Sequence, residues 1–164
     1  MNRDGTPDAT VMAAGISAQK IRHLDILLVD PWIITVGPEN GIPLAAPVDL
    51  LVANPLCFMV QKFLIKRDRR PQKQAQDLLY IFDTIQLFGN LLPEFKRNWD
   101  EIVKPSLGKS SDIVLNECVA TFSNVNDVIR EAALIPQDRQ LSPEELQATC
   151  KYAFTQIFGD LDWA

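Results

Sequence analysis

The spacing of apolar residues changes once along this chain, near residue 54, and that change limits what it can fold into. Beyond it, apolar residues recur every three or four positions, which places them on one face of a helix. Before it, short apolar runs alternate with chain breakers. Asn54-Pro55 reads as a helix start, with Asn as the cap and Pro in the first turn. Leu56, Met59, Val60, Phe63 and Leu64 form one stripe, and Lys62, Lys66 and Arg69 occupy the other side. Pro71 ends that helix, and a second begins at once with the stripe Ala75, Leu78, Leu79, Phe82 and Ile85. A third helix is predicted over 93–104, burying Phe95, Trp99, Ile102 and Val103 and stopping at Pro105. A fourth covers 111–134 with Leu115, Cys118, Phe122, Val125 and Ile129. The fifth starts at Ser142-Pro143-Glu144-Glu145, a capping signal, and ends at Gly159.

Upstream, the runs 23–29, 32–36, 42–45 and 48–52 read as short strands, punctuated by Asp30-Pro31, Gly37-Pro38-Glu39-Asn40-Gly41 and Ala46-Pro47. Their prolines confine them to edges and irregular pairing. The expected fold is α+β: a small, mostly antiparallel sheet at about 23–53, then about five helices in a bundle. Residues 1–22 form a poorly defined leading segment, and 23–164 one domain with its helical region at 54–160. A length of 164 residues suits a single domain.

Composition narrows the class. A hydrophobic share of 47% with a net charge of −5 excludes a disordered chain and nucleic-acid binding by overall charge. No apolar run reaches the roughly 18–20 residues of a membrane span. Cys57, Cys118 and Cys150 sit far apart within apolar helical patterns, which predicts buried free thiols and a cytoplasmic location.

The chemistry is concentrated in a few places. There is no glycine-rich phosphate loop, no nucleophile elbow and no paired Cys or His spacing for a metal. Lys62, Lys66, Arg67, Arg69, Arg70 and Lys73 put six cations against Asp68 alone within 12 residues. Such a run is either an anion site for phosphates or a solvated helix end whose cations complement the dipole. Lys73 and Asp77 are spaced as an i, i+4 surface pair. Asp25 interrupts an apolar run, where a carboxylate must be exposed, paired or bound to a cation.

Taken in order, these residues resemble a known group. The order is an Asp-bearing strand (Leu24-Asp25-Ile26-Leu27), a short sheet, Asn54-Pro55 opening a helix with Lys62, and Arg70-Pro71-x-Lys73-x-x-x-Asp77-Leu78. Over residues 20–90 the chain resembles the C-terminal half of nucleotidyltransferase-fold proteins related to the toxin component of abortive-infection type IV toxin–antitoxin systems. The resemblance implies that Asp25 is a metal-binding carboxylate for Mg²⁺, that Lys62, Arg70 and Lys73 face the triphosphate, and that Asp77 supports them. Position 74 is Gln where the group's pattern has Asp, and residues 1–22 carry Asp4 and Asp8 without the Gly-Ser turn and Asp-x-Asp pair of the group's first half. One carboxylate cannot hold two metal ions.

The expected function is therefore that of an incomplete or degenerate nucleotidyltransferase with a residual nucleotide- and phosphate-binding surface. The isolated chain is expected to be inactive in transfer. Its partners would be a nucleoside triphosphate and, in an intact relative, an RNA or protein acceptor; no membrane is implied. Two alternatives stay open: a non-catalytic module that pairs with a protein partner or with itself, and nucleic-acid binding through the basic helix 62–73.

Overall fold

The computed structural model describes residues 10–13, 16–19 and 22–163. The leading segment expected at 1–22, with Asp4 and Asp8, lies largely outside them. Its described parts are Arg22 and the strands β1 (Thr10–Ala13) and β2 (Ile16–Gln19), which pair antiparallel from Thr10↔Gln19 to Ala13↔Ile16.

The run at 23–29 is not a strand. It forms a one-turn helix, α1 (Leu24–Leu27), entered through His23 in the left-handed region at φ 52°. Ile26 is its one fully buried residue and α1 packs on the next long helix, while Leu24 and Leu28 stay exposed. A short apolar run suits a strand or a turn of helix equally, and tertiary packing decides. Asp25 therefore lies exposed on a helical turn rather than in a sheet.

β3 (Trp32–Val36) and β4 (Val48–Val52) form the second hairpin, in register from Trp32↔Val52 to Val36↔Val48. The strand expected at 42–45 is absent, because Pro43 and Pro47 leave that stretch irregular. The left-handed Gly41, at φ 75°, closes the short helical turn Pro38–Asn40 that opens the connection.

α2 (Pro55–Ile65) starts as the sequence predicts. Asn54 Oδ1 accepts the Cys57 N–H at 2.8 Å, while its Nδ2 donates to the carbonyls of Val29 and Asp30 at 3.3 and 2.7 Å. One buried amide thus caps α2 and fastens the α1–β3 connection to it. A short turn, Lys66–Asp68, links α2 to α3 (Pro71–Phe88). The third helical stretch runs past its expected stop. α4 (Leu92–Asn98) passes through a wide π turn, Trp99–Val103, into α5 (Lys104–Leu107), and that turn carries the chain through Pro105, which has no N–H to give. The fourth is broken into α6 (Ser110–Phe122) and α7 (Asp127–Ala133), because Asn126 caps a new helix by accepting the Ile129 N–H at 3.0 Å. α8 (Pro143–Phe158) follows its Ser142 cap.

The helical stripes meet in one core. α2 packs on α3 and α6, α3 on α7 and α8, and α4 on α8. At its centre Phe63 lies 5.1 Å from Phe154 and 6.3 Å from Phe122, and Trp99 lies 4.4 Å from Phe158, ring centre to ring centre. Cys57, Cys118 and Cys150 are buried and free. Burial pushes the Cys57 thiol up to about 11 and raises those of Cys118 and Cys150 as well, so all three behave as small apolar groups at neutral pH. Among the described residues no helix is long and apolar enough to cross a membrane.

Candidate functional site

The basic run occupies the end of α2, the linking turn and the first turn of α3, and the fold treats its members differently. Lys62 Nζ lies 3.0 Å from Asp77 Oδ1, with each side chain only 11% exposed, and 4.9 Å from the centre of the Phe58 ring. Arg69 Nε stands 3.1 Å from the other Asp77 oxygen. Its N–H is not aimed at that oxygen, so the contact is an ion pair without a hydrogen bond. Asp77 is thus held between two cations that come from α2 and from the linking turn.

A second clamp lies on α6. Glu117 accepts from Arg67 Nε at 2.5 Å and from Lys66 Nζ at 3.2 Å, and Lys66 also donates to Thr121 Oγ1 at 2.6 Å. Burial would raise the Glu117 pKa, but the Arg67 hydrogen bond and the Lys66 charge outweigh it and hold the carboxyl below its ordinary value. Asp68, the one acid in the run, pairs with Arg22 at 2.5 Å, and Gln61 Nε2 donates to the Arg22 carbonyl at 2.9 Å. These contacts bring the chain entering α1, three residues before Asp25, to the α2–α3 junction.

Gln74 completes the junction. Its Nε2 donates to the carbonyls of Lys66 and Arg69 at 3.2 and 2.9 Å, which caps the end of the linking turn. An aspartate at this position has no donor and could not make either bond.

Arg70 and Lys73 differ from the other four cations. Both are exposed, and neither has a carboxylate partner among the described residues. The spacing-based pair Lys73–Asp77 does not form: Lys73 Nζ donates to Gln76 Oε1 at 2.7 Å, and Asp77 points to α2 instead. Arg70 is the cap of α3 but brings no capping side-chain bond; Pro71 has no N–H and the Lys73 N–H donates to the Arg70 carbonyl at 2.9 Å, so the start of α3 offers the positive end of the helix dipole rather than a set of free amides. Among the described residues, no three His, Cys, Asp or Glu side chains are grouped to hold a metal ion. Asp25 has no fellow ligands there, and the described residues do not fit a two-metal centre.

The structure therefore brings Lys62 and Asp77 together and leaves Arg70 and Lys73 both exposed at the start of α3. Sequence reasoning missed Glu117 and Arg69 as partners of this site. Glu117 lies 50 residues from Arg67, and no local pattern could have linked them. No curated protein and no solved structure matches the chain. A nucleotidyltransferase family model does match, over residues 1–104, a span that includes the β3–β4 hairpin, α2, α3 and their junction, and the chain belongs to that nucleotidyltransferase family.

Proposed function

We propose that this chain binds a nucleoside triphosphate at the first turn of α3, with Arg70 and Lys73 as its phosphate ligands. The division of the basic run carries this proposal. Four cations are neutralised by Asp77 and Glu117, whereas Arg70 and Lys73 stand exposed where the helix dipole adds its positive end. Family membership makes a nucleotide the class of anion to test. In this reading Lys62 is a structural cation behind the site. Asp25 offers a single carboxylate to an Mg²⁺ ion that arrives already bound to the triphosphate. The helix from Arg70 to Leu78 supports kinship with toxin components of abortive-infection type IV systems. The structural bonds of Gln74, in place of the expected Asp, support a degenerate member of that group. Nucleic-acid binding along the whole run is disfavoured by the same ion pairs.

Calorimetric titration of the full chain with ATP, GTP, CTP and UTP in Mg²⁺ tests this. Saturable binding is expected for at least one, weakened roughly tenfold or more in Arg70→Ala/Lys73→Ala, since each charge-assisted contact contributes about 1.5–3 kcal/mol. The control Arg97→Ala, on α4, should bind normally. Binding of none of the four, or equal binding by the double variant, overturns the proposal.

A further inference from the structure

The outward face of α3 carries a connected row of side chains that starts at the proposed phosphate ligands. Lys73, Gln76 and Tyr80 lie at i, i+3 and i+7, so they share one face of the helix. Lys73 Nζ donates to Gln76 Oε1 at 2.7 Å, and Gln76 Nε2 donates to the Tyr80 hydroxyl at 2.8 Å. One carboxamide therefore separates the Lys73 ammonium from the Tyr80 hydroxyl. The bond to Gln76 also draws the tyrosine back toward the helix start, the direction in which helical side chains lean. Tyr80 is 42% exposed, and among the described residues the one other exposed aromatic is Tyr152, on α8. Neither acid of α3 is left to repel an anion laid along this row: Asp77 is held by Lys62 and Arg69, and Asp83 by Arg139.

We propose that the Tyr80 ring is the stacking platform for the base of the nucleotide, with the Gln76 amide at the level of the ribose. This deepens the nucleotide-binding reading and rests on it. In a nucleoside triphosphate the terminal phosphates, the α-phosphate, one ribose and the base follow in that order. Arg70, Lys73, Gln76 and Tyr80 follow along α3 in the matching order. From Arg70 to Tyr80 the helix axis advances by about 15 Å, the scale of an extended nucleoside triphosphate. After its two bonds Gln76 keeps one Nε2 hydrogen and Tyr80 keeps its hydroxyl proton, and both can meet sugar hydroxyls. Every base has a π-face, so stacking tolerates base identity and favours the larger ring system. Purine nucleoside triphosphates are therefore the ligand class, with ATP and GTP bound alike and pyrimidine nucleotides more weakly.

Calorimetry on the full chain in Mg²⁺ compares ATP with inorganic triphosphate, which has the phosphates and no base. ATP should bind about tenfold or more tighter, and Tyr80→Ala should bring ATP down to the level of triphosphate while leaving triphosphate unchanged. Tyr80→Phe, which keeps the ring, should retain most of the ATP affinity, and Tyr152→Ala all of it. The chain has two tyrosines, so their ring signals in NMR keep the test decisive should Tyr80→Ala misfold. In the unaltered protein ATP should shift the Tyr80 ring and triphosphate should not. Triphosphate bound as tightly as ATP, or ATP affinity indifferent to Tyr80→Ala, overturns the base assignment and leaves the phosphate site standing. A Tyr80 signal that ATP leaves in place, or that triphosphate shifts equally, does the same. Failure of both ligands to bind overturns the phosphate site and the base assignment with it.

Discussion

Asp77→Asn should destabilise the protein by about 2–3 kcal/mol, although the substitution preserves shape and touches no aromatic core residue. Asp77 is 93% buried and pairs with Lys62, whose side chain is 11% exposed, and with Arg69, whose side chain is 33% exposed. Removing one member of a buried pair costs about 3–5 kcal/mol because it strands the other charge. Arg69 is exposed enough to turn to water, which lowers the cost here, and Lys62 carries the remainder. For a chain of this length each kcal/mol moves the Tm by about 2–4 °C, so a fall of roughly 5–10 °C is expected. Urea unfolding followed by tryptophan fluorescence gives the free energy directly. Lys62→Met/Asp77→Leu, which removes both charges and fills the space with apolar groups, should recover most of the loss. An Asp77→Asn value within about 0.5 kcal/mol of the unaltered chain, the range of ordinary surface changes, would refute a buried clamp at this position.

Two further predictions follow from the same junction. Glu117 has a lowered pKa in the folded protein, so its contribution is complete above its ordinary value of 4.5 and is lost as pH falls through the folded value. The stability gap between the unaltered chain and Glu117→Gln should therefore be constant at neutral pH and close as pH drops below 4.5, read by urea midpoints; a gap that stays constant into strong acid would contradict the clamp. Gln74→Glu removes the donor that serves the carbonyls of Lys66 and Arg69 and should cost about 1–3 kcal/mol by the same assay. A neutral result would mean that the linking turn holds itself without this side chain.

The helices were legible because each long stripe is a direct record of which face is buried. Leu56, Met59, Val60 and Phe63 on α2, and Leu146, Cys150, Ala153, Phe154 and Ile157 on α8, all lie in the core. Departures occur where a single residue or a distant surface settles the outcome. The run at 23–29 has too few residues to show a period, and packing of Ile26 against α2 made it helical. Pro105 reads as a stop only for regular α-helix, and the π turn before it removed the conflict, leaving Ile102 37% exposed rather than buried. In the site, Lys62, Arg70, Lys73 and Asp77 were identifiable as residue types in one neighbourhood. Their pairing was not, because i, i+4 spacing favours Lys73 for Asp77, whereas the angle between α2 and α3 puts Lys62 there instead. Glu117 left no local trace at all.

If the proposed phosphate site holds, the charge segregation that stands out in the sequence serves two purposes at once. A run of six cations would repel itself if it were only an anion surface. Placing Asp77 and Glu117 beneath it lets the linking turn close, since each carboxylate takes up two of the six. The two left over are those at the start of α3, Lys73 about one turn and Arg70 about two turns before Asp77. An anion arriving at Arg70 and Lys73 would meet repulsion from that carboxylate were it not already matched by Lys62 and Arg69. The clamp therefore screens the surface it supports, and the net positive field at the α3 start survives because the neighbouring acid is spent on structure.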